Sequence, residues 1–222
     1  MIIWAIRRKQ FLRKMDLEAF ILVGGRSSRM APLGLDKALL KLDGVTLAER
    51  AASTVAAALS PKEIYFVARD EKQFAAGGLP KNIPVIYDLH KDRGAYSGLH
   101  AALSTARTEW IFALACDYPL VSAGLLKFLA DLIPELIDGA FDAIVPVQAD
   151  RRVQPLCAFY RADACLKVVE SFLLTDKKPP PLRAVFEKVK TRFVTFEEIG
   201  HLPDAEKFFL NLNTPDDLKS NY

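Results

Sequence analysis

Short apolar runs alternate with longer stretches of helical period along this chain. Residues 18–23 (EAFILV) form a run of buried-strand type that stops at Gly24-Gly25. Polar, turn-rich sequence follows as far as Asp43-Gly44. Residues 47–59 (LAERAASTVAAAL) then predict an Ala-rich helix, with Thr46 as its N-cap and Glu49 at capping-box spacing. Strands are predicted at 63–68, 83–87 and 110–115, the last ending at Cys116-Asp117. Helical period returns at 97–106 and at 123–137, the second capped by Ser122. Strands at 142–147 and 155–160 precede a helix at 163–174 and a stiff exposed loop, Lys177-Lys-Pro-Pro-Pro181. Short strands at 193–196 and 209–212 and a final helix from Pro215, capped by Thr214, complete the reading. Repeated strand–helix–strand order predicts an α/β fold. The expected form is a three-layer α/β/α sandwich on a Rossmann-like, mostly parallel sheet. Without internal repeats or a long linker, residues 16–222 read as a single domain. Residues 1–15 are expected to form a flexible basic extension.

Composition narrows the classes. A chain of 222 residues that is 51% hydrophobic and 26% charged has enough apolar sequence for an ordinary core. That balance excludes a disordered, collagen-like or coiled-coil chain. No apolar run approaches the ~18 residues of a spanning helix, so no membrane span and a cytoplasmic location are expected. The net charge of +3 is misleading, because residues 1–14 carry five basic side chains and no acid. Setting these aside leaves 25 basic against 27 acidic residues, a net of −2. No nucleic-acid partner is expected of so balanced a body. In the leader the apolar MIIWAI precedes the charges, the reverse of a signal peptide. It reads as a tail, or as sequence upstream of a start at Met15. Cys116, Cys157 and Cys165 show no CxxC spacing, and His90, His100 and His201 are scattered. A disulfide framework or zinc site is not indicated, and the cysteines read as small buried hydrophobes.

In open α/β sheets, ligands bind beyond the carboxyl ends of the strands. The first such loop here is Leu22-Val-Gly-Gly-Arg-Ser-Ser-Arg-Met30, running on to Asp36-Lys37. Adjacent glycines after a strand allow close backbone approach, and Arg29 and Lys37 add a forked donor and a point charge suited to phosphate. Neither the P-loop nor the dinucleotide fingerprint is matched. Asp117 follows a buried strand at the same edge. One such carboxylate plus substrate phosphates suffices for Mg²⁺, although Asp followed by Pro119 also reads as a simple turn. Asp88 reaches the same edge, as a nucleotide contact or as the start of a loop.

Together these blocks resemble nucleotidyltransferases of the molybdenum cofactor guanylyltransferase (MobA) type. The resemblance rests on Leu22–Met30 with Asp36-Lys37, Tyr87-Asp88, Gly94-Ala-Tyr-Ser-Gly98, Ala115-Cys-Asp117-Tyr-Pro119, Gln154-Pro155 and Asn211-Leu-Asn213-Thr-Pro. The blocks occur in family order over about residues 20–218. The segment between Met30 and Asp36 is somewhat longer than the family spacing, and Tyr65–Ala68 lacks an Asn that some members use on the nucleotide. The resemblance implies a fold of the nucleotide-diphospho-sugar transferase type. The implied reaction is transfer of GMP from GTP to molybdopterin, in its molybdenum-loaded form, with release of pyrophosphate. It implies that Leu22, Val23, Gly24 and Gly25 wrap the nucleotide, and that Arg29 and Lys37 hold the triphosphate. Asp88 is expected to touch the nucleotide and Asp117 to bind Mg²⁺; these three charged groups, Arg29, Lys37 and Asp117, carry catalysis. Asn211 and Asn213 fall on the acceptor side, and molybdoenzyme maturation proteins are possible partners. The same chemistry on CTP or on a sugar or polyol phosphate, and a non-catalytic nucleotide-binding subunit, are the alternatives.

Overall fold

A computed structural model describes residues 16–24, 36–133, 140–175 and 178–211. The N-terminal extension, the loop 25–35 and the final helix after Thr214 lie outside the described residues. The sheet begins with β1 (Leu17–Leu22), β4 (Glu63–Ala68), β5 (Val85–Tyr87) and β6 (Trp110–Ala115), all mutually parallel. It continues through β7 (Ala143–Pro146), β8 (Cys157–Arg161) and β9 (Thr191–Val194). Seven strands lie in the order β5-β4-β1-β6-β8-β7-β9, with β8 antiparallel to both of its neighbours. The remaining pairs are parallel, so the expected mostly parallel sheet is the one observed.

Alternation along the strands sends side chains to two separate cores. Leu17, Ala19 and Ile21 of β1 join Phe112 and Leu114 of β6 on one face. Helices α1 (Leu47–Leu59) and α3 (Ala123–Asp131) cover that face with Ala48, Val55, Leu125 and Leu129. Phe20, Val67, Ile111 and Ala113 point the other way, against α2 (Ala95–Thr105) and α4 (Ala162–Leu173). Two helices on each face make the three layers. Glu18 is the exception on β1, a buried acid held by the Arg107 N–H at 2.7 Å. The three cysteines are free and buried, as their residue type suggested. Burial pushes all three thiols up, that of Cys165 to about 12, so they pack rather than react.

Local signals held where side chains make their own contacts. Thr46 Oγ1 accepts from the Glu49 N–H at 3.2 Å, and Glu49 accepts from the Thr46 N–H at 2.9 Å, closing the predicted capping box. Ser122 Oγ accepts from the Leu125 N–H at the head of α3. The third strand starts at Val85 rather than at 83, because Pro84 has no N–H for the ladder. Two expectations fail. The strand placed at 193–196 is observed at Thr191–Val194, since Thr195 and Glu198 form a second capping box and open a short helix α5 (Phe196–Ile199). Of the strand placed at 209–212, the described residues 209–211 form none: Ala205–Lys207 is a 3-10 turn, and the Leu210 N–H returns to the Lys207 carbonyl. Phe209, apolar and therefore of strand type by pattern, is buried at the end of that turn. Asp43-Gly44, first read as turn-rich sequence, closes a small hairpin of β2 (Lys41–Leu42) and β3 (Val45–Thr46), with φ of 52° and 80°.

Candidate active site

The carboxyl ends of β1, β4, β5 and β6 converge on one edge. The Cys116 N–H donates to the Leu22 carbonyl at 3.2 Å, so the residue before Asp117 is tied to the end of β1. On the other side the Val23 N–H donates to Val67 and the Asp88 N–H to Ala68. Leu22, Val23, Gly24, Asp88 and Asp117 therefore stand together, as expected. Gly25, Arg29 and Asn213 lie outside the described residues.

Gly24 has a packing reason to be glycine. A Cβ built there would meet the Arg69 backbone nitrogen at 2.8 Å, so any side chain would drive the ends of β1 and β4 apart. The sequence suggested close approach to a ligand; at Gly24 the near neighbour is the chain's own backbone. Within the segment expected to wrap the nucleotide, the Val23 N–H is already spent on the sheet. Gly98, near the start of α2, has the same logic. A Cβ there would press on Leu22 Cδ2 at 2.9 Å and lie 3.6 Å from Asp88 Oδ1.

Lys37 enters the edge from a 3-10 turn, Lys37–Leu39. Asp36 caps that turn by accepting from the Ala38 N–H at 3.0 Å, and Ala38 is fully buried in the first core. With the turn so anchored, Lys37 Nζ reaches Asp117 Oδ2 at 2.9 Å across eighty positions of sequence. Both side chains are largely shielded, at 16% and 27% exposure, so this pair is stronger than a surface ion pair of the same length. Asp117 Oδ1 accepts no donor among the described residues. The donor set fits Mg²⁺: Asp117 offers a further hard carboxylate oxygen beside Lys37, and Mg²⁺ takes its other ligands from phosphate and water.

Asp88 is half-buried, and its Oδ1 has no hydrogen-bond partner among the described residues. Burial pushes its carboxyl up to about 7; Arg69 draws it back down and Asp70 pushes it further up. A half-buried carboxylate oxygen with no donor among the described residues is a candidate acceptor for a ligand.

Beside this edge opens a cavity of about 580 Å³. Tyr118, Gln154, Phe209 and Asn211 line one part of it, and Arg151, Arg152 and Arg183 another. The Tyr118 hydroxyl donates to Gln154 Oε1 at 2.8 Å, and Asn211 lines the same cavity wall. Arg152 is paired with Asp150, whereas Arg183 has no carboxylate partner among the described residues. Gln148 Oε1, also in this wall, is buried without a partner among the described residues. Sequence reasoning missed Tyr118, Gln148 and the three arginines, which come from three separate stretches: the end of β6, the turn 148–152 and the 3-10 helix Leu182–Glu187. A smaller concavity of about 270 Å³, bordered by Phe74, Leu79, Val85 and Tyr87, lies at the β5 edge away from Lys37 and Asp117.

Comparison with known proteins agrees with this geometry. The family profile described as the MobA-like NTP transferase domain matches residues 19–192. A protein of Carboxydothermus hydrogenoformans named "Probable molybdenum cofactor guanylyltransferase" is 33% identical, over 91% of this chain and 93% of its own. The molybdenum cofactor guanylyltransferase of Desulfosudis oleivorans is 31% identical, over 90% of this chain and 91% of its own. Among solved structures, molybdopterin-guanine dinucleotide biosynthesis protein A from Archaeoglobus fulgidus superposes with a TM-score of 0.71. It is 30% identical, and the match covers 91% of this chain and 95% of that one.

Proposed function

Since the chain belongs to the MobA-like NTP transferase family and is a nucleotidyltransferase, we propose that it transfers GMP from GTP to molybdopterin, releasing pyrophosphate and forming the guanine dinucleotide. The observation that carries this reading is the shielded Lys37–Asp117 pair at the carboxyl edge of β1 and β6, with the arginine-lined cavity opening beside it.

The chemistry asks little of a general base. The acceptor's terminal phosphate is already an anionic nucleophile; its oxygen forms a bond to the α-phosphorus as the bond to the β-phosphate oxygen breaks. The barrier lies in bringing two anions together and in stabilising charge on the departing pyrophosphate, which positioned cations supply. Lys37 carries that role, with Arg29 on the same loop. Asp117 would hold Mg²⁺, which, when bound, neutralises triphosphate charge. Asp88 accepts from the nucleoside, satisfying the oxygen that is otherwise orphaned. On the other side, Arg183 and Arg151 suit the acceptor's phosphate, and Gln148 Oε1 offers an acceptor to ring N–H groups of a pterin. Asn211 stands in the same wall, on the acceptor side. The reaction is placed in the cytoplasm, where molybdoenzyme maturation proteins would receive the product. No helix among the described residues is long and apolar enough to cross a membrane.

The test is calorimetric titration of GTP, CTP and ATP with and without Mg²⁺, followed by a pyrophosphate-release assay with molybdopterin. Magnesium-dependent binding of GTP with turnover is expected. A preference for CTP would replace the guanylyl by the cytidylyl reaction, and binding without turnover would make the chain a nucleotide-binding subunit.

A further inference from the structure

Gln73 takes no part in the chemistry described above, yet its side chain joins the pieces that do. It lies half-buried on the loop that follows β4, and every polar atom of its amide is engaged. Oε1 accepts from the Arg69 N–H at 2.8 Å. Nε2 donates to the Val23 carbonyl at 2.9 Å and to Asp36 Oδ2 at 2.7 Å. The turn presenting it is itself pinned, because the N–H groups of Lys72 and Gln73 both donate to Asp70 Oδ1 at 3.0 Å. Two acceptors on one side and a donor on the other also determine which way round the amide must stand.

Val23 directly follows β1, and Asp36 directly precedes Lys37. One NH₂ group therefore holds both ends of the loop 25–35. From Asp36 the linkage runs on through its cap on the Ala38 N–H to Lys37, and from Lys37 to Asp117. We propose that Gln73 is a positioning residue that clips the base of the phosphate-binding loop and sets Lys37 against Asp117. The name of the substrate rests on the function proposed above; the clip rests on the geometry alone.

Gln73→Glu keeps the size of the side chain, removes both donors and sets a second carboxylate against Asp36. Turnover is expected to fall about 30- to 100-fold through misplacement of Lys37, with the KM for the acceptor unchanged. Hydrogen exchange at Ala38, Leu39 and Leu40 should quicken about tenfold as the turn loosens. Combining Gln73→Glu with Asp36→Asn reverses donor and acceptor across the Asp36 contact but leaves the Val23 carbonyl without its donor, and should recover part of the lost turnover and protection. Gln73→Met, neutral and of similar length, should lose about tenfold in turnover and serves if the charged variant does not fold. Turnover within twofold of wild type in these variants, or losses that simply add in the double variant, would overturn the proposal. If wild-type protein releases no pyrophosphate from any nucleotide, the function fails separately. Exchange at residues 38–40 and its recovery in the double variant then decide the clip.

Discussion

The two sides of the site are built differently. On the proposed nucleotide side, each described candidate hangs from a strand end or a capped turn: Asp117 after β6, Asp88 after β5, Lys37 on a turn anchored by buried Ala38. Backbone hydrogen bonds tie Cys116, just before Asp117, to Leu22 and Asp88 to Ala68, and the central charge pair is shielded. On the cavity side the charges are exposed arginines on the turn 148–152 and the 3-10 helix Leu182–Glu187, around an open volume of about 580 Å³. Rigid strand ends suit groups that must meet a transition state within a fraction of an ångström. Loop arginines suit recognition of a phosphate whose binding need only be strong. The contrast separates what sets the rate from what sets affinity.

The sharpest way to break that division is to remove one member of the shielded pair. Lys37→Ala or Asp117→Asn should each lower kcat by roughly 10²–10³, the usual loss of one electrostatic stabiliser, measured by pyrophosphate release. Near-normal turnover would remove that residue from the chemistry. On the other side, Arg183→Ala should raise the KM for the acceptor about tenfold and leave kcat nearly unchanged, as loss of one charge-assisted contact does. A drop in kcat alone would erase the distinction between the two sides.

Asp88 sharpens the comparison through pH. Its folded pKa is raised, so the unliganded protein carries a penalty that is absent below about pH 4 and grows as pH rises to about 7. A nucleoside donor binds the ionised form, and so nucleotide affinity should rise about tenfold from pH 6 to pH 8. Titration calorimetry of Asp88→Asn should show a flat profile; a wild-type profile that is already flat would remove Asp88 from the nucleotide contact. The smallest expected change is Tyr118→Phe, which deletes the bond to Gln154 and should cost about fivefold in acceptor affinity, one hydrogen bond's worth.

Much of this was readable before any coordinates. The apolar runs of β1, β4 and β6, the Thr46–Glu49 box and the Ser122 cap depend on neighbours within a few residues, and each formed where expected. The hairpin at Asp43-Gly44 carried an equally local signal, a two-residue Asp-Gly turn between short runs, and was overlooked. Phe209 misled because a short apolar run alone does not distinguish a strand from a packed turn. Lys37, Asp88 and Asp117 were legible as chemistry because each follows a predicted element or sits in a patterned loop.

The sequence by itself determined the α/β order, the edge at which the candidate residues gather, and the residue types there, since periodicity and turn chemistry are local properties. Only the tertiary structure decided that Lys37 meets Asp117. It alone decided that Gly24 is small to admit the Arg69 backbone, and that Gln73 joins Val23 to Asp36. Those contacts span roughly forty to eighty residues of chain, and no pattern in the intervening sequence encodes them. They follow from the register of parallel strands, which brings carboxyl ends side by side whatever their separation along the chain.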